Sequence, residues 1–318
     1  MPAFMFSKCT SFLKRGFGII NRTRLGFPRH VFQGAGGIGD DLMCSTVFRE
    51  LRKRRMRGIV FATQYPSLFF GNPDLDAVIY HENPRLNRWM HEGLRFVRLG
   101  YGHYDPATDK DGAPAENVLA ALCRIAGITG VVELRPYLYL TPEERNAGLF
   151  GKDQIAIQSS ALAAFYSMQN KEWVPGRFQE VCDHFRTGHT LIQIGAAQDP
   201  KLEGVLDFRG QTNLRQSAAI LASSSVFIGL EGLVMHLARA VDCRSVIIYG
   251  GRLRPWQIGY TGNINLSGDT PCSPCWQRNR CDYHHECMAM ITSEAVVRGA
   301  QAQLARQGQP MEVETVVL

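Results

Sequence analysis

Short apolar runs that read as strands alternate with amphipathic helical runs along this chain, and the alternation restarts once. A pattern of this kind allows few architectures. Each strand must be followed by a helix that packs back onto the sheet, so the sheets are parallel and covered on both faces. In the first series, residues 30–33 read as a strand, and a helix follows from about Asp40 to Arg54 with Leu42, Val47 and Leu51 at helical spacing. GIVFAT (58–63), DAVIYH (76–81) and LRFVRL (94–99) read as strands, 115–126 as a helix, and RPYLYL (135–140) as a further extended piece. TPEERNAGLFGKD (141–153) holds helix-start and break signals, which place a domain boundary there. The second series runs IAIQSS (strand), RFQEVCDHF (helix), TLIQIG and LDFRG (strands), NLRQSAAILASS (helix), VFIG (strand), LVMHLARAV (helix) and SVIIYGG (strand). Residues 252–290 are irregular, and a last helix fits 292–306.

The expected fold class is therefore α/β, with two Rossmann-like domains facing a cleft. The first spans 31–145 and the second 150–306, with a basic leader at 1–30, a Cys-rich insert at 270–288 and a tail at 307–318. A chain of 318 residues is too long for one ordinary core, which agrees with two domains of about 150 residues. The leader carries Lys8, Lys14, Arg15, Arg22, Arg24 and Arg29 without an acid, interleaved with aromatic and aliphatic residues. It fits a segment resting on an anionic membrane surface, and equally a solvated basic leader. It lacks the apolar core and cleavage site of a signal peptide, and no stretch reaches the roughly 18 apolar residues of a membrane span. Basic residues elsewhere form no nucleic-acid motif, although the net charge is +6. Cys9, Cys44, Cys123, Cys182 and Cys243 stand singly among apolar neighbours, as reduced buried thiols do, which suits a cytoplasmic protein.

VFQGAGGIGDDL (31–42) matches G-x-G-x-x-G at Gly34, Gly36 and Gly39, a dinucleotide-binding pattern. An NAD-dependent oxidoreductase of this type needs an acid at the end of the second strand, and IVFATQYPSL supplies none. Two carboxylates, Asp40 and Asp41, also follow the last glycine and would repel a pyrophosphate. The competing assignment puts Asp40 at the mouth of the cleft as a general base for a substrate hydroxyl; a helix-capping role accounts for the loop equally well.

Several further segments carry a resemblance. GIGDDLMCSTVFREL is similar to a G-D loop followed by an apolar helix. NKEWVPGRF supplies Lys171-x-Trp173, and DFRGQTNLRQSAAI fits D-x-R-G-x-T-x-L-x-x-x-A-x-I from Asp207 to Ile220. FIGLEGLVMHLARAV gives Ile-Gly, an acid and His-Leu-Ala, and a strand ending in glycine then precedes Trp256. Together these resemble glycosyltransferase family 9, the ADP-heptose:lipopolysaccharide heptosyltransferases, over about residues 31–300. The resemblance implies a GT-B fold and inverting transfer of a heptose from ADP-heptose to a hydroxyl of a lipopolysaccharide core-type saccharide. It implies a cytoplasmic enzyme, peripheral at the inner membrane, that needs no cofactor for its chemistry. Asp40 is then the base and Lys171 the cation on the leaving diphosphate. Gly39, Ser167, Gly229, Glu231, Gly232 and His236 are donor-binding positions. One departure is plain: the family's Asp-Ser/Thr-Gly is Glu231-Gly232-Leu233 here.

PCSPCWQRNRCDYHHEC places Cys272, Cys275, Cys281 and Cys287 with gaps of two, five and five residues. C-x-x-C lets two sulfurs face one ion and two later thiolates complete a tetrahedron, so a structural zinc or iron is expected; a reduced loop without metal is the alternative. Resemblance to protein-modifying relatives that carry cysteine-bound iron implies a second acceptor class, a protein of the autotransporter type.

Overall fold

The computed structural model describes residues 31–80, 96–164 and 167–318. The basic leader, Cys9, and residues 81 and 94–95 of two expected strands lie outside them. The first sheet is parallel, in the order β3 (Ala77–Tyr80), β2 (Val60–Thr63), β1 (Val31–Gln33), β4 (Phe96–Arg98). Helix α1 (Ile38–Lys53) follows β1, with Leu42, Met43, Val47, Phe48 and Leu51 buried against the sheet. Asp40 and Asp41 sit in its first turn and Arg52 and Lys53 in its last, the polarity the helix dipole favours. Phe48 packs on Phe61 with ring centroids 4.8 Å apart, and Phe61 meets Phe69 edge-on at 4.9 Å.

A short hairpin, β5 (Tyr104–Asp105) and β6 (Lys110–Asp111), follows β4, then α2 (Val118–Ile125) and β7 (Val131–Glu133). Helix α3 (Pro142–Ala147) opens the second series with a capping box in which Thr141 and Glu144 satisfy each other's backbone amides. The second sheet is also parallel, in the order β10 (Leu206–Asp207), β9 (Leu191–Gln193), β8 (Ile155–Ile157), β11 (Val226–Leu230), β12 (Ser245–Gly250), β13 (Ile264–Ser267). Strands β11 and β12 are buried at every residue, which explains their unbroken apolar reading. Helices α4 (Arg177–Phe185), α5 (Leu214–Ala222), α6 (Leu233–Ala240), α7 (Pro255–Ile258), α8 (Glu286–Ala289) and α9 (Ser293–Leu304) complete this half. No helix of the described residues is long and apolar enough to cross a membrane.

Several features depart from the sequence expectation, the β5–β6 hairpin and β7 among them. RPYLYL forms no strand. It lies as a connector whose backbone is satisfied from both halves: Tyr137 N–H donates to Ser45 Oγ, and Leu138 N–H to the Ala240 carbonyl. The tail returns to the first half, where β14 (Thr315–Val317) pairs antiparallel with β7. Strand β13 hides inside the region 252–290 that the sequence reads as irregular. Helix α1 packs on α6, and one apolar core includes Phe48 and Phe61 from the first half with Met235, Leu237 and Tyr249 from the second.

Candidate active site in the interdomain cleft

In an open parallel sheet, ligands collect outside the carboxyl ends of the strands where the order of connection reverses. Here there are two such points, β1/β4 and β8/β11. Asp40 follows β1 and Tyr101 follows β4. Lys171 comes after β8 and Glu231 after β11. The candidate residues thus emerge from the two switch points.

Three of the four glycines in the 34–39 loop are closely approached by other groups, while a Cβ on Gly36 would meet nothing within 4 Å. A Cβ on Gly34 would lie 1.8 Å from Asp41 Oδ1, and one on Gly37 would lie 2.5 Å from Asp40 Oδ2. A Cβ on Gly39 would come within 3.1 Å of His236 Cδ2, from the other domain. Carboxylates and an interdomain contact thus take up the space beside Gly34, Gly37 and Gly39.

Asp40 is half-buried in the first turn of α1, and its Oδ1 accepts a hydrogen bond of 3.0 Å from the Tyr101 hydroxyl. Burial pushes its carboxyl above the ordinary aspartate range. The Tyr101 hydrogen bond and the charge of Lys171 oppose that shift without cancelling it, and Glu231 adds to it. Asp41 is only 2% exposed and accepts from the Thr63 hydroxyl, while its other oxygen is buried without a partner. Burial raises its pKa to about 6. Gly37, not an aspartate, is the N-cap residue of α1, and no side chain caps it.

Across the cleft, Lys171 ends a 3-10 turn (Gln169–Lys171), and its Nζ pairs with Glu231 Oε2 at 2.7 Å. Burial pushes the Glu231 carboxyl up, but Lys171, Arg252 and His236 outweigh it and the net direction is down. Gly232 begins α6 at φ 142°, a conformation L side chains rarely adopt. His236 is buried in the first turn of α6, its Nδ1 2.6 Å from the Tyr260 hydroxyl. Burial drives its pKa down to about 4, so it is neutral near pH 7.

Two expected donor positions lie differently. Gly229 sits inside β11, where a Cβ would lie 2.4 Å from the Phe227 ring, so its lack of a side chain serves packing. Ser167 is exposed on the loop before the Lys171 turn. The four clustered cysteines, none in a disulfide, line one small pocket with Asp282, His285 and Glu286. Among the described residues, no three His, Cys, Asp or Glu side chains converge closely enough to hold a metal ion. The donors therefore fit zinc or iron in number and chemistry but do not close into a ligand sphere.

Residues 141–284 match the family model for glycosyltransferase family 9 (heptosyltransferase). Over that segment, a little under half of the chain, the sequence is similar to glycosyltransferase family 9. The resemblance carried by the motifs is borne out. Among curated proteins, two lipooligosaccharide heptosyltransferase 2 sequences of Campylobacter jejuni subsp. jejuni are similar, at 24% identity over 151 residues and 23% over 147. The first match covers 41% of this chain and 46% of the relative, so the chain spans about half the length of the curated relatives it matches. Solved structures extend the likeness to the fold. E. coli ADP-heptose lps heptosyltransferase II superposes with a TM-score of 0.64 at 15% identity, covering 88% of this chain and 99% of that one. The iron-containing dodecameric glycosyltransferase TibC from enterotoxigenic E. coli H10407 gives 0.66 at 20% identity, covering 88% and 77%. A family 9 glycosyl transferase from Veillonella parvula gives 0.63 at 15% identity, covering 88% and 98%. The two-domain GT-B fold expected from the sequence is the fold of this chain.

The family 9 segment takes in Lys171, the Asp207–Ile220 stretch and Glu231 to His236, and it leaves Asp40 and Cys287 outside. Two cleft residues were not singled out from the sequence. Tyr101 lies in RLGYGHYD, where no charge or periodicity distinguishes it from a packing tyrosine. Arg252, 4% exposed, follows β12 and donates to the Asp111 carboxylate of the β5–β6 hairpin. The only sequence signal for it was its place beyond a strand ending in glycine. Asp111 also takes Arg278 at 2.6 Å, and Asp109 accepts from the Asn279 and Arg280 amides. The Cys-rich segment is thereby clasped to the first domain.

Proposed function

We propose that this chain is an inverting glycosyltransferase that moves a heptose from ADP-heptose to a hydroxyl of a lipopolysaccharide core-type saccharide. The observation that carries the reading is the juxtaposition of Asp40, from one switch point, with the Lys171–Glu231 pair from the other. Support also comes from the family 9 segment and from the ADP-heptose named for the E. coli structure. Asp40 removes the proton of the acceptor hydroxyl as its oxygen bonds to the anomeric carbon. The bond from that carbon to the diphosphate oxygen breaks, and ADP leaves with the electron pair. Lys171 offsets the charge developing on the diphosphate. Glu231 holds Lys171 in place and accepts hydrogen bonds from donor hydroxyls, Gly232 lets the second domain's backbone approach the donor, and Gly39 serves the donor site by leaving room for His236 across the cleft. His236, neutral and tied to Tyr260, acts as a neutral contact.

The site of action in this reading is the cytoplasmic face of the inner membrane. The test is transfer of heptose from ADP-heptose to a core saccharide. Asp40→Asn is expected to lower kcat by about 10²–10⁴-fold, the usual worth of a general base, with ADP affinity little changed. An Asp40→Asn variant as active as wild type would remove Asp40 from the reaction.

The four thiols are proposed as the ligands of a structural zinc or iron, a reading supported by the iron named for TibC. Such an ion would stabilise the Cys-rich segment, and no step of the transfer passes through it. Metal analysis of the purified chain beside Cys275→Ser tests this: a metal content that Cys275→Ser leaves unchanged excludes the site.

A further inference from the structure

The Lys171 ammonium is already engaged by Glu231, and a diphosphate carries more charge than one ammonium offsets. A second cation stands beside that pair. Strands β11 and β12 are parallel neighbours, with Leu230 opposite Ile248, so Glu231 and Arg252 both emerge beyond the carboxyl ends of adjacent strands. The turn that carries Lys171 packs on β12. Arg252 is 4% exposed, and its guanidinium lies over the Trp276 ring with Cζ 5.1 Å from the centroid. Trp276 is itself 5% exposed. Two donors in this stacked pair have no acceptor: Arg252 Nε–H and Trp276 Nε1–H, both fully buried. An orphaned buried donor is costly, and two in one place point to an acceptor that arrives with a ligand.

We infer that Arg252, with the Trp276 indole N–H, binds an oxygen of the donor's diphosphate, and that Asp111 is the positioning residue that holds Arg252 for it. This rests on the nucleotide-sugar reading given above. Two observations favour an anion of that class. The guanidinium presents planar donors matched to phosphate oxygens. Its charge also reaches both switch points, acting on Glu231 in one domain and Tyr101 in the other. Asp111 comes from the first domain, so the second cation is in place only when the hairpin is docked on the Cys-rich segment.

Calorimetric titration of the full chain with adenosine, AMP and ADP tests the assignment. Arg252→Gln is expected to weaken ADP by roughly 10- to 100-fold, the worth of one charge-assisted hydrogen bond, while adenosine is unaffected. Arg252→Lys should recover part of that loss. Asp111→Asn should weaken ADP less than Arg252→Gln does, and Asp111→Glu should restore it. Lys171→Gln is the reference: if it loses ADP affinity while Arg252→Gln binds ADP as wild type does, the Arg252 assignment is wrong and the donor site stands. If the wild-type chain binds none of the nucleotides, the donor reading itself fails. A measurement on the unmutated protein covers a variant that does not fold. The Trp276 indole 15N–1H resonance, identified with Trp276→Phe, should move on adding ADP and stay still with adenosine. Movement on adding zinc or iron alone, with none on ADP, would give the two donors to the thiol pocket and overturn the proposal.

Discussion

Gly37→Ala separates the two explanations of the glycine-rich loop. The backbone at Gly37 is extended (φ −81°, ψ 145°), so alanine adopts it without strain. Its Cβ would stand 2.5 Å from Asp40 Oδ2 and 3.2 Å from Asp40 Cγ, well inside contact distance, and the carboxylate would have to swing away. Asp40 is half-buried at the cleft, where Asp41 is buried, so the carboxylate gives way before the backbone does. The cost to folding is small: alanine as N-cap loses about 1 kcal/mol, and restricting the unfolded chain returns about 0.4–1 kcal/mol. The cost to catalysis is large. The swing breaks the 3.0 Å hydrogen bond from Tyr101 and moves the base by an ångström or more. A misplacement of that size is worth about 10²-fold in rate. Expected together are a Tm near wild type, an unchanged ADP Kd, and kcat down by about 10²-fold with saturating donor and acceptor. A kcat within about threefold of wild type would refute the claim that Gly37 exists to make room for Asp40. A loss of nucleotide affinity at unchanged kcat would return the loop to a phosphate-binding role.

Gly34→Ala is the opposite case. Its Cβ would lie 1.8 Å from Asp41 Oδ1, and Asp41 is buried with nowhere to turn, so overpacking should cost about 1–3 kcal/mol, read as a lowered denaturant midpoint. Lys171→Met leaves the Glu231 carboxylate buried and unpaired, a loss of about 3–5 kcal/mol; Lys171→Met with Glu231→Gln should be more stable than Lys171→Met alone, and additive losses would refute the coupling.

Much of the fold was legible because parallel strands buried on both faces leave unbroken apolar runs. Helix α4 occupies the residues RFQEVCDHF that its pattern marked, and β11 and β12 were equally plain. RPYLYL misled because its alternating apolar residues pack between domains while its backbone bonds to the Ser45 side chain and to a carbonyl at the end of α6. Strand β13 was lost among turn residues, since an edge strand of four half-exposed or exposed residues has little apolar signature. At the site, charged residues were found because charge near a glycine turn is conspicuous. Tyr101 and Arg252 were missed because their roles depend on partners far away in sequence: Asp40 is 61 residues from Tyr101, and Asp111 is 141 from Arg252. Gly229 is a motif glycine with a packing role the sequence does not show, leaving room for Phe227.

With the roles proposed for Asp40 and Lys171, donor binding should alter the strength of the base. In the free chain the charge of Lys171 lowers the Asp40 pKa against the upward push of burial and Glu231. A bound diphosphate neutralises that ammonium, so the downward contribution fades and Asp40 becomes more basic in the complex. The protonated carboxyl is inactive as a base, so activity falls on the acid side as pH drops through the Asp40 pKa. The acid limb of kcat/KM reports the free enzyme and that of kcat the substrate complex. The limb of kcat should therefore lie at higher pH than the limb of kcat/KM, and both should lie above the ordinary aspartate range. Lys171→Gln removes that charge from both states, so both limbs should move to higher pH while the gap set by the diphosphate's own charge persists. A kcat limb at or below that of kcat/KM in the wild-type chain would show that the diphosphate does not draw on Lys171, and the link between donor and base would be lost.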